Sequence, residues 1–504
     1  MRVLVANRGE IAIRIMRACR EMGFSSVAVY SECDRTAAHV TYADEAYAIG
    51  ASEPRDSYLR IDKLVEIAER ADVWAVHPGY GFLAENAEFA AAVRAVGRVF
   101  VGPSADVIAL MGGKVAAREA AVSAGVPVVP GTDAPIDPEL PDDELVTLAA
   151  GIGYPLFIKP VAGGGGKGMR LVTEPSGLVA ALAGARSESE SAFGDSAVYL
   201  ERQLQCPRHV EVQVLADEYG TVVPFVEREC SIQRRHQKVV EESPAFGMPL
   251  DRRAAMADAA VSIARAVGYT NAGTVEFLVD ASGAFYFLEM NTRLQVEHGV
   301  TEAVTGVDLV RWQFRIALGE ALDIAVDRAL TPTGHAIECR VYAEDPDALF
   351  LPSPGRLRGL RAPSGPGIRE DSCAVVGGEV PLFYDPLISK VVAWGADRPH
   401  AIARMRRAMD EYEIQGIKTT VPFFRWLLRS DAFAAGPLDT TFIDTTLAER
   451  GGRPFVEPSS EAEELAVIGA AVHVFMEAGS QDATVNVDGG STWRRVARAD
   501  ALRA

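Results

Sequence analysis

The stretch Phe285–His298 limits what this chain can become more than any other part of it. It opens on the apolar run Phe285-Tyr-Phe-Leu288, just past the turn pair Ser282-Gly283. A second strand-forming run, Gly273–Val279, lies on the other side of that turn. Two such runs about a Ser-Gly turn predict an antiparallel hairpin. With the loop symmetric about the pair, Glu276 falls opposite Glu289, and Asn291 shares their face. Carboxylates opposed across a ladder repel each other, and a divalent cation between them turns that repulsion into attraction. An all-oxygen donor set favours Mg2+ or Mn2+ over zinc, with water and phosphate oxygens in the remaining positions. Beyond Leu288, Glu289, Asn291, Arg293, Gln295 and Glu297 alternate with Met290, Thr292, Leu294 and Val296. In extended chain all five polar groups point one way, giving one surface for a metal–phosphate ligand and an anion. The plain alternative is a solvent-exposed strand face.

Two further segments carry chemistry. In Phe157-Ile-Lys-Pro-Val-Ala-Gly-Gly-Gly-Gly-Lys-Gly-Met169, a predicted strand feeds a glycine run flanked by Lys159 and Lys167. Glycines let backbone N–H groups wrap phosphate oxygens, and the lysines supply charge. No Gly-x-x-x-x-Gly-Lys-Ser/Thr or dinucleotide fingerprint is present. A flexible linker is the alternative; the strand and Lys159 favour a mobile lid over nucleotide. The segment Glu229–Pro244 gathers Arg234, Arg235, His236 and Lys238, bounded by acids. Basic runs are commonly solvated faces, but charge against the global bias points to an anion pocket.

That bias is strong: 69 acids against 50 bases give a formal charge of −19. It argues against general binding to nucleic acid or anionic membrane. The six cysteines form no Cys-x-x-Cys pair, so reduced thiols in cytoplasm are expected rather than a disulfide framework or zinc site. The chain starts directly on a predicted strand, so no signal peptide is expected, and no run is long enough to span a membrane.

At 504 residues, about three domains are expected. Strands at Val3–Ala6, Ser26–Tyr30 and Trp74–Val76 alternate with helices at Glu10–Met22, Ile61–Ala71 and Glu88–Val96, predicting a parallel sheet with crossover helices. On the first helix Arg17 and Glu21 share a face, as a solvated ion pair or a subunit contact. From about Lys114 a mixed α+β region is expected, with strands including His209–Ala216 and Val222–Arg228. Past about Thr331 come short strands and many turns, a β-rich domain. Glu461–Ala478 is a predicted helix in a terminal appendage, either docking a partner or burying its own apolar stripe.

Together with Ala6-Asn-Arg-Gly-Glu-Ile-Ala-Ile-Arg-Ile, His77–Asn86 and Met111-Gly-Gly-Lys114, these motifs resemble biotin carboxylase, an ATP-grasp enzyme, from Met1 to about Arg450. The resemblance implies an α/β and α+β multidomain chain. Its parts would be a Rossmann-like pre-ATP-grasp domain at 1–112, an ATP-grasp domain at 113–330 with a mobile glycine-rich lid at about 131–203, a β-rich C-terminal domain at 331–446, and an appendage at 447–504. It implies an ATP site of Lys114, Lys159, Gly163, Gly164, Gly165, Gly166, Met169, Glu201, Leu204, His209, Gln233, His236, Glu276 and Glu289. Arg202 stands where the family has lysine, which matters little for a backbone contact to adenine. Two metal ions, Mg2+ or Mn2+, would sit on Glu276, Glu289 and Asn291. Bicarbonate would be held by Lys238, Arg293, Gln295 and the backbone of Val296, with Glu297 as general base. Arg340 and Tyr80 would meet biotin, Arg340 stabilising its enolate.

The implied reaction is carboxylation of biotin N1 through carboxyphosphate, the first half-reaction of an acetyl-CoA or other acyl-CoA carboxylase. Propionyl-CoA or pyruvate carboxylase and a silent ATP-grasp scaffold are the alternatives. No Met-Lys-Met biotinylation site is present, so biotin is expected on a carrier protein or domain. Carboxyltransferase subunits, a homodimer and participation in fatty acid biosynthesis are implied as well.

Overall fold

The first hundred residues fold as their alternation dictates. Strands Arg2–Val5, Ser25–Ser31, Glu45–Gly50, Ala75–His77 and Val99–Phe100 form a parallel sheet. Arg2–Val5 lies at its centre, and the helices Gly9–Glu21, Ile61–Arg70 and Ala87–Ala95 pack on it. Parallel neighbours need crossovers, so both faces are covered and the central strands are largely apolar. This computed structural model describes residues 1–162, 168–456 and 460–481. The chain divides into two units, Met1–Arg453 and Pro454–Ala504.

A second sheet dominates the first unit. Its order is Phe285–Asn291, Asn271–Val279, Arg208–Ala216, Arg228–Arg234, Gln237–Ser243, His335–Tyr342, Leu387–Gly395 and Ile368–Ser372, and Val222–Pro224 pairs with Arg208–Ala216. Every pairing in it is antiparallel. Three strands of the β-rich C-terminal region therefore extend this sheet, Gln237–Ser243 pairing directly with His335–Tyr342, while its other short strands make small two-stranded sheets. The strand expected over Val222–Arg228 is two: Val222–Pro224 ends at a residue with no N–H to donate, and Arg228–Arg234 begins another.

The hairpin forms, with an instructive register. Val279, Leu278 and Phe277 face Phe285, Tyr286 and Phe287, so the loop is centred on Ser282 and not on the Ser282-Gly283 pair. Asp280 closes a three-residue loop by donating its N–H to the Ala284 carbonyl, and Gly283 takes φ +80°, the left-handed position such loops require. A bulge at Leu288 then adds one residue and brings Glu289 opposite Glu276. The strand ends at Asn291; bends and a turn follow to Glu297, so the alternation read through Glu297 does not continue as extended chain.

Residues Leu156–Pro160, Arg170–Val172 and Val198–Arg202 make a small antiparallel sheet. With the helices Asp142–Ile152 and Leu178–Phe193 it encloses a core of its own, including Ile136, Leu145, Ile158, Leu182 and Leu200. The glycines Gly163–Gly166 and Lys167 lie outside the described residues. On the first helix, Arg17 and Glu21 are exposed, and no ion pair joins them among the described residues. Arg14 is the buried cation there, 2.8 Å from Glu302 and 2.7 Å from Asp308. In the second unit, the helix Ser460–Gln481 is apolar on several sides, with Leu465, Ile468, Val472 and Phe475 exposed along one stripe and Val467 and Val474 exposed opposite it. No helix among the described residues is long and apolar enough to cross a membrane.

Candidate active site

A cavity of about 1090 Å³ opens over the large sheet. Its lining holds Lys114, Lys159, Met169, Glu201, Leu204, His209, Gln233 and His236. Tyr80, Lys238, Glu276, Glu289, Asn291, Arg293, Gln295, Val296 and Arg340 share the same cavity. Among the site residues expected from sequence, Glu297 lies beneath the lining, fully buried, and the four glycines fall outside the described residues.

Lys114 opens the helix Lys114–Ser123, and Lys159 sits on the strand Leu156–Pro160, ion-paired to Glu201. Burial, and then the charge of Lys159, push the Lys114 ammonium below its ordinary value. Two cations held together in a cavity favour a polyanion between them.

Lys238 is the hub of the site. Its Nζ donates to Glu211 Oε2 at 2.6 Å, Glu276 Oε1 at 2.8 Å and Glu297 Oε1 at 2.8 Å. Burial opposes its charge, but those three carboxylates outweigh burial and hold its pKa well above the ordinary lysine value. Compact donor clusters, His209–Glu211–Glu276 and Glu211–Cys230–Glu297, surround it, so the Lys238 ammonium supplies positive charge between them. Arg228, fully buried, adds a second positive charge beside Glu211 and is fixed by Gln213, Thr301 and Thr274, each at 3.0 Å.

Glu297 precedes the helix His298–Thr305 and is held from two sides: Arg340 Nη2 donates to its Oε2 at 2.9 Å, opposite the contact from Lys238. Burial alone would raise the Glu297 carboxyl; Lys238, Arg340 and Arg228 overcome it and hold the group well below its ordinary value. Arg293 donates to Glu85 at 2.9 Å and to Asn291 Oδ1 at 2.9 Å.

Glu276 has little acceptor capacity left: besides Lys238 it takes Asn291 Nδ2 at 2.8 Å and Gln295 Nε2 at 3.0 Å on one oxygen, and lies 2.9 Å from His209 on the other. Burial opposes its ionisation, but Lys238 and His209 keep it well below the ordinary range. Glu289 is exposed to the cavity with no hydrogen bond among the described residues, and desolvation by the surrounding walls followed by repulsion from Glu276 raises its pKa. An unpaired carboxylate repelled by its cross-strand partner, beside an amide oxygen, suits a hard cation with oxygen ligands.

Three parts of the chain match protein-family descriptions. Residues 1–108 match the biotin carboxylase N-terminal domain, 113–325 the carbamoyl-phosphate synthase L chain ATP-binding domain, and 338–445 the biotin carboxylase C-terminal domain. A pyruvate carboxylase subunit of Methanothermobacter thermautotrophicus is 53% identical over 88% of this chain and 89% of that protein. Biotin carboxylase 1 of Bacillus subtilis is 49% identical over 88% of the chain and 98% of its own length. The chain belongs to the biotin carboxylase family. Its enzyme class is that of the ATP-grasp, ATP-dependent ligases. Among solved structures, the biotin carboxylase domain dimer of Hydrogenobacter thermophilus 2-oxoglutarate carboxylase aligns with a TM-score of 0.85 at 43% identity. The match covers 91% of this chain and 99% of that one, and that structure holds MgADP, ADP and bicarbonate.

Within this biotin carboxylase framework, several residues that touch the site were not anticipated. Glu211 was readable: from His209 onward, Glu211 and Gln213 repeat at the strand period, a polar row on one face. Glu85, Arg228 and Glu241 carried no such local signal. Glu85 meets Arg293 across 208 positions of sequence, and Arg228 meets Glu211 across 17. Glu241 reaches Arg340 only because their two strands pair in the large sheet.

Proposed function

We propose that the chain carboxylates biotin at N1 on a carrier protein, using ATP and bicarbonate, with the residues assigned as follows. The ATP phosphates lie between Lys114 and Lys159, under a lid that includes Gly163, Gly164, Gly165 and Gly166. Adenosine lies against Met169, Glu201, Leu204, His209, Gln233 and His236. Glu276, Glu289 and Asn291 would hold Mg2+ or Mn2+, which would supply charge neutralisation for phosphoryl transfer. Bicarbonate is fixed by Lys238, Arg293, Gln295 and the Val296 backbone. Glu297 removes its proton and the resulting oxyanion attacks the γ-phosphorus, giving ADP and carboxyphosphate. Breakdown releases CO2 and phosphate, phosphate takes the biotin N1 proton, and the N1–C bond forms while Arg340 faces the ureido oxygen and Tyr80 flanks the ring. A Glu297 carboxyl held far below its usual range works through placement more than basicity.

The observation that carries this reading is the position of Lys238. One ammonium touches the nucleotide-side carboxylate Glu276 and the base Glu297, which in turn holds Arg340. Phosphate release from ATP that requires bicarbonate and rises with biotin is the expected result; ATP binding with no such release would leave a nucleotide-binding scaffold.

The reading keeps the divisions 1–112, 113–330 with its lid at about 131–203, 331–446 and 447–504. It places the enzyme in cytoplasm as a homodimer, serving a biotinyl carrier and carboxyltransferase subunits of an acyl-CoA carboxylase in fatty acid synthesis. A 2-oxo acid acceptor is the second reading, supported by 53% identity to a pyruvate carboxylase component. Assaying the co-purifying carboxyltransferase with acetyl-CoA, propionyl-CoA and pyruvate separates them.

A further inference from the structure

Arg340 is gripped by two carboxylates. Its Nη2 donates to Glu297 at 2.9 Å and lies 2.5 Å from Glu241 Oε1. Glu241 is fully buried on the strand Gln237–Ser243, and neither of its oxygens accepts an aligned hydrogen bond among the described residues. Its hold on Arg340 is thus a charge contact. Directly across the ladder stands Glu338, also fully buried, again with both oxygens lacking a hydrogen-bond partner among the described residues. Glu338 and Arg340 lie two apart on one strand and share a face, which Lys390 joins from the next strand. Gly299, in the first turn of the helix His298–Thr305, covers that face: a Cβ there would lie 3.2 Å from Glu338 Oε2.

Two uncompensated carboxylates side by side are costly to a fold. Burial raises both against the pull of Arg340 and Lys390: Glu241 to about 7 and Glu338 well above the ordinary value. The two differ in their surroundings: Glu241 has Arg340 at contact distance and Glu338 does not.

The chemistry assigned to the site asks two different things of the Arg340–Glu297 pair. Glu297 must release Arg340 as it takes up a proton, since a neutral carboxyl holds a guanidinium weakly. Arg340 must nevertheless stay aimed at the cavity. We propose that Glu241 is the positioning residue that anchors Arg340 independently of Glu297, so that the arginine keeps its place for biotin when the base is protonated. Glu241 touches no substrate in this scheme; it acts through Arg340. The inference rests on the proposed biotin carboxylation and on Arg340 facing biotin.

The test is steady-state phosphate release by the full-length chain and by Glu241→Gln, with ATP, bicarbonate and free biotin varied in turn. Wild type without biotin-stimulated release would remove the underlying reading and not this one alone. With stimulation present, E241Q is expected to raise the biotin KM roughly 10- to 100-fold, the loss of a charged contact, while the ATP KM stays within about twofold. Glu241→Asp, which keeps the charge on a shorter stem, is expected to fall between. A biotin KM within about twofold of wild type in E241Q overturns the proposal, as does an equal rise in both KM values, the mark of a general structural role. Should E241Q fail to fold, E241D decides by the same two criteria.

Discussion

Glu297 is the residue on which charges from three directions converge, and its replacement separates chemistry from folding. Glu297→Gln keeps the shape and leaves Lys238 with Glu211 and Glu276. Biotin-dependent ATP turnover is expected to fall by about 10²- to 10⁴-fold, the usual contribution of a positioned base, with a cooperative thermal transition retained. Arg340→Ala is expected to abolish the same activity while the protein stays folded, measured by phosphate release alongside circular dichroism. Glu338 gives a pH test. Its carboxyl is raised by burial first, with Lys390 opposing and Glu241 and Glu297 adding to the rise. The folded state therefore binds a proton that the unfolded chain gives up above the ordinary glutamate value of 4.5. Stability from this group is complete below that pH and is lost as pH climbs toward the folded value. Glu338→Gln lacks this dependence, and its Tm advantage over wild type is expected to widen between about pH 5 and pH 8. These pairings explain what sequence could tell. Side chains within one strand, such as Glu276 or His209, announce themselves by period, whereas Glu241 and Glu338 become neighbours only when Gln237–Ser243 finds His335–Tyr342.

Two hairpins show how much the elements themselves were legible. The hairpin of Asn271–Val279 with Phe285–Asn291 was readable from its turn and apolar runs, and so was the opposition of Glu276 and Glu289. The loop centre was not, because only the bulge at Leu288 compensates for it. A bulge is one unpaired residue chosen by cross-strand packing, and no local composition marks it. The other hairpin joins Arg228–Arg234 to Gln237–Ser243 through Arg235 and His236, both at positive φ, 50° and 65°. Such a turn favours Asn-Gly, so two side chains with Cβ atoms store strain where they line the cavity. Replacing the pair by R235N and H236G is expected to stabilise the protein by about 1 kcal/mol in chemical denaturation and to raise the ATP KM. Loss of stability in that variant would mean that the turn is held by contacts stronger than its strain.

At the scale of the molecule, Met1–Arg453 is one unit with its own cores, so ending the chain after Arg453 is expected to leave the Tm within about 2 °C and free-biotin turnover intact. A drop in carrier-dependent activity alone would assign the terminal segment to partner contact. The alternation of the first hundred residues and the mixed character of the middle were open to sequence reading, since both follow from periodicity. The joining of the middle and C-terminal regions into one sheet was not, for strand order depends on pairings far apart in sequence. That shared sheet bears on how such chains can be recombined. A crossover between relatives near residue 331 falls between sequence matches, at 325 and 338, and looks harmless on paper. It would nonetheless cut through a continuous ladder, parting Val240, Glu241 and Glu242 from Cys339, Glu338 and Ile337. Functional chimeras should inherit both edges of that seam from the same parent.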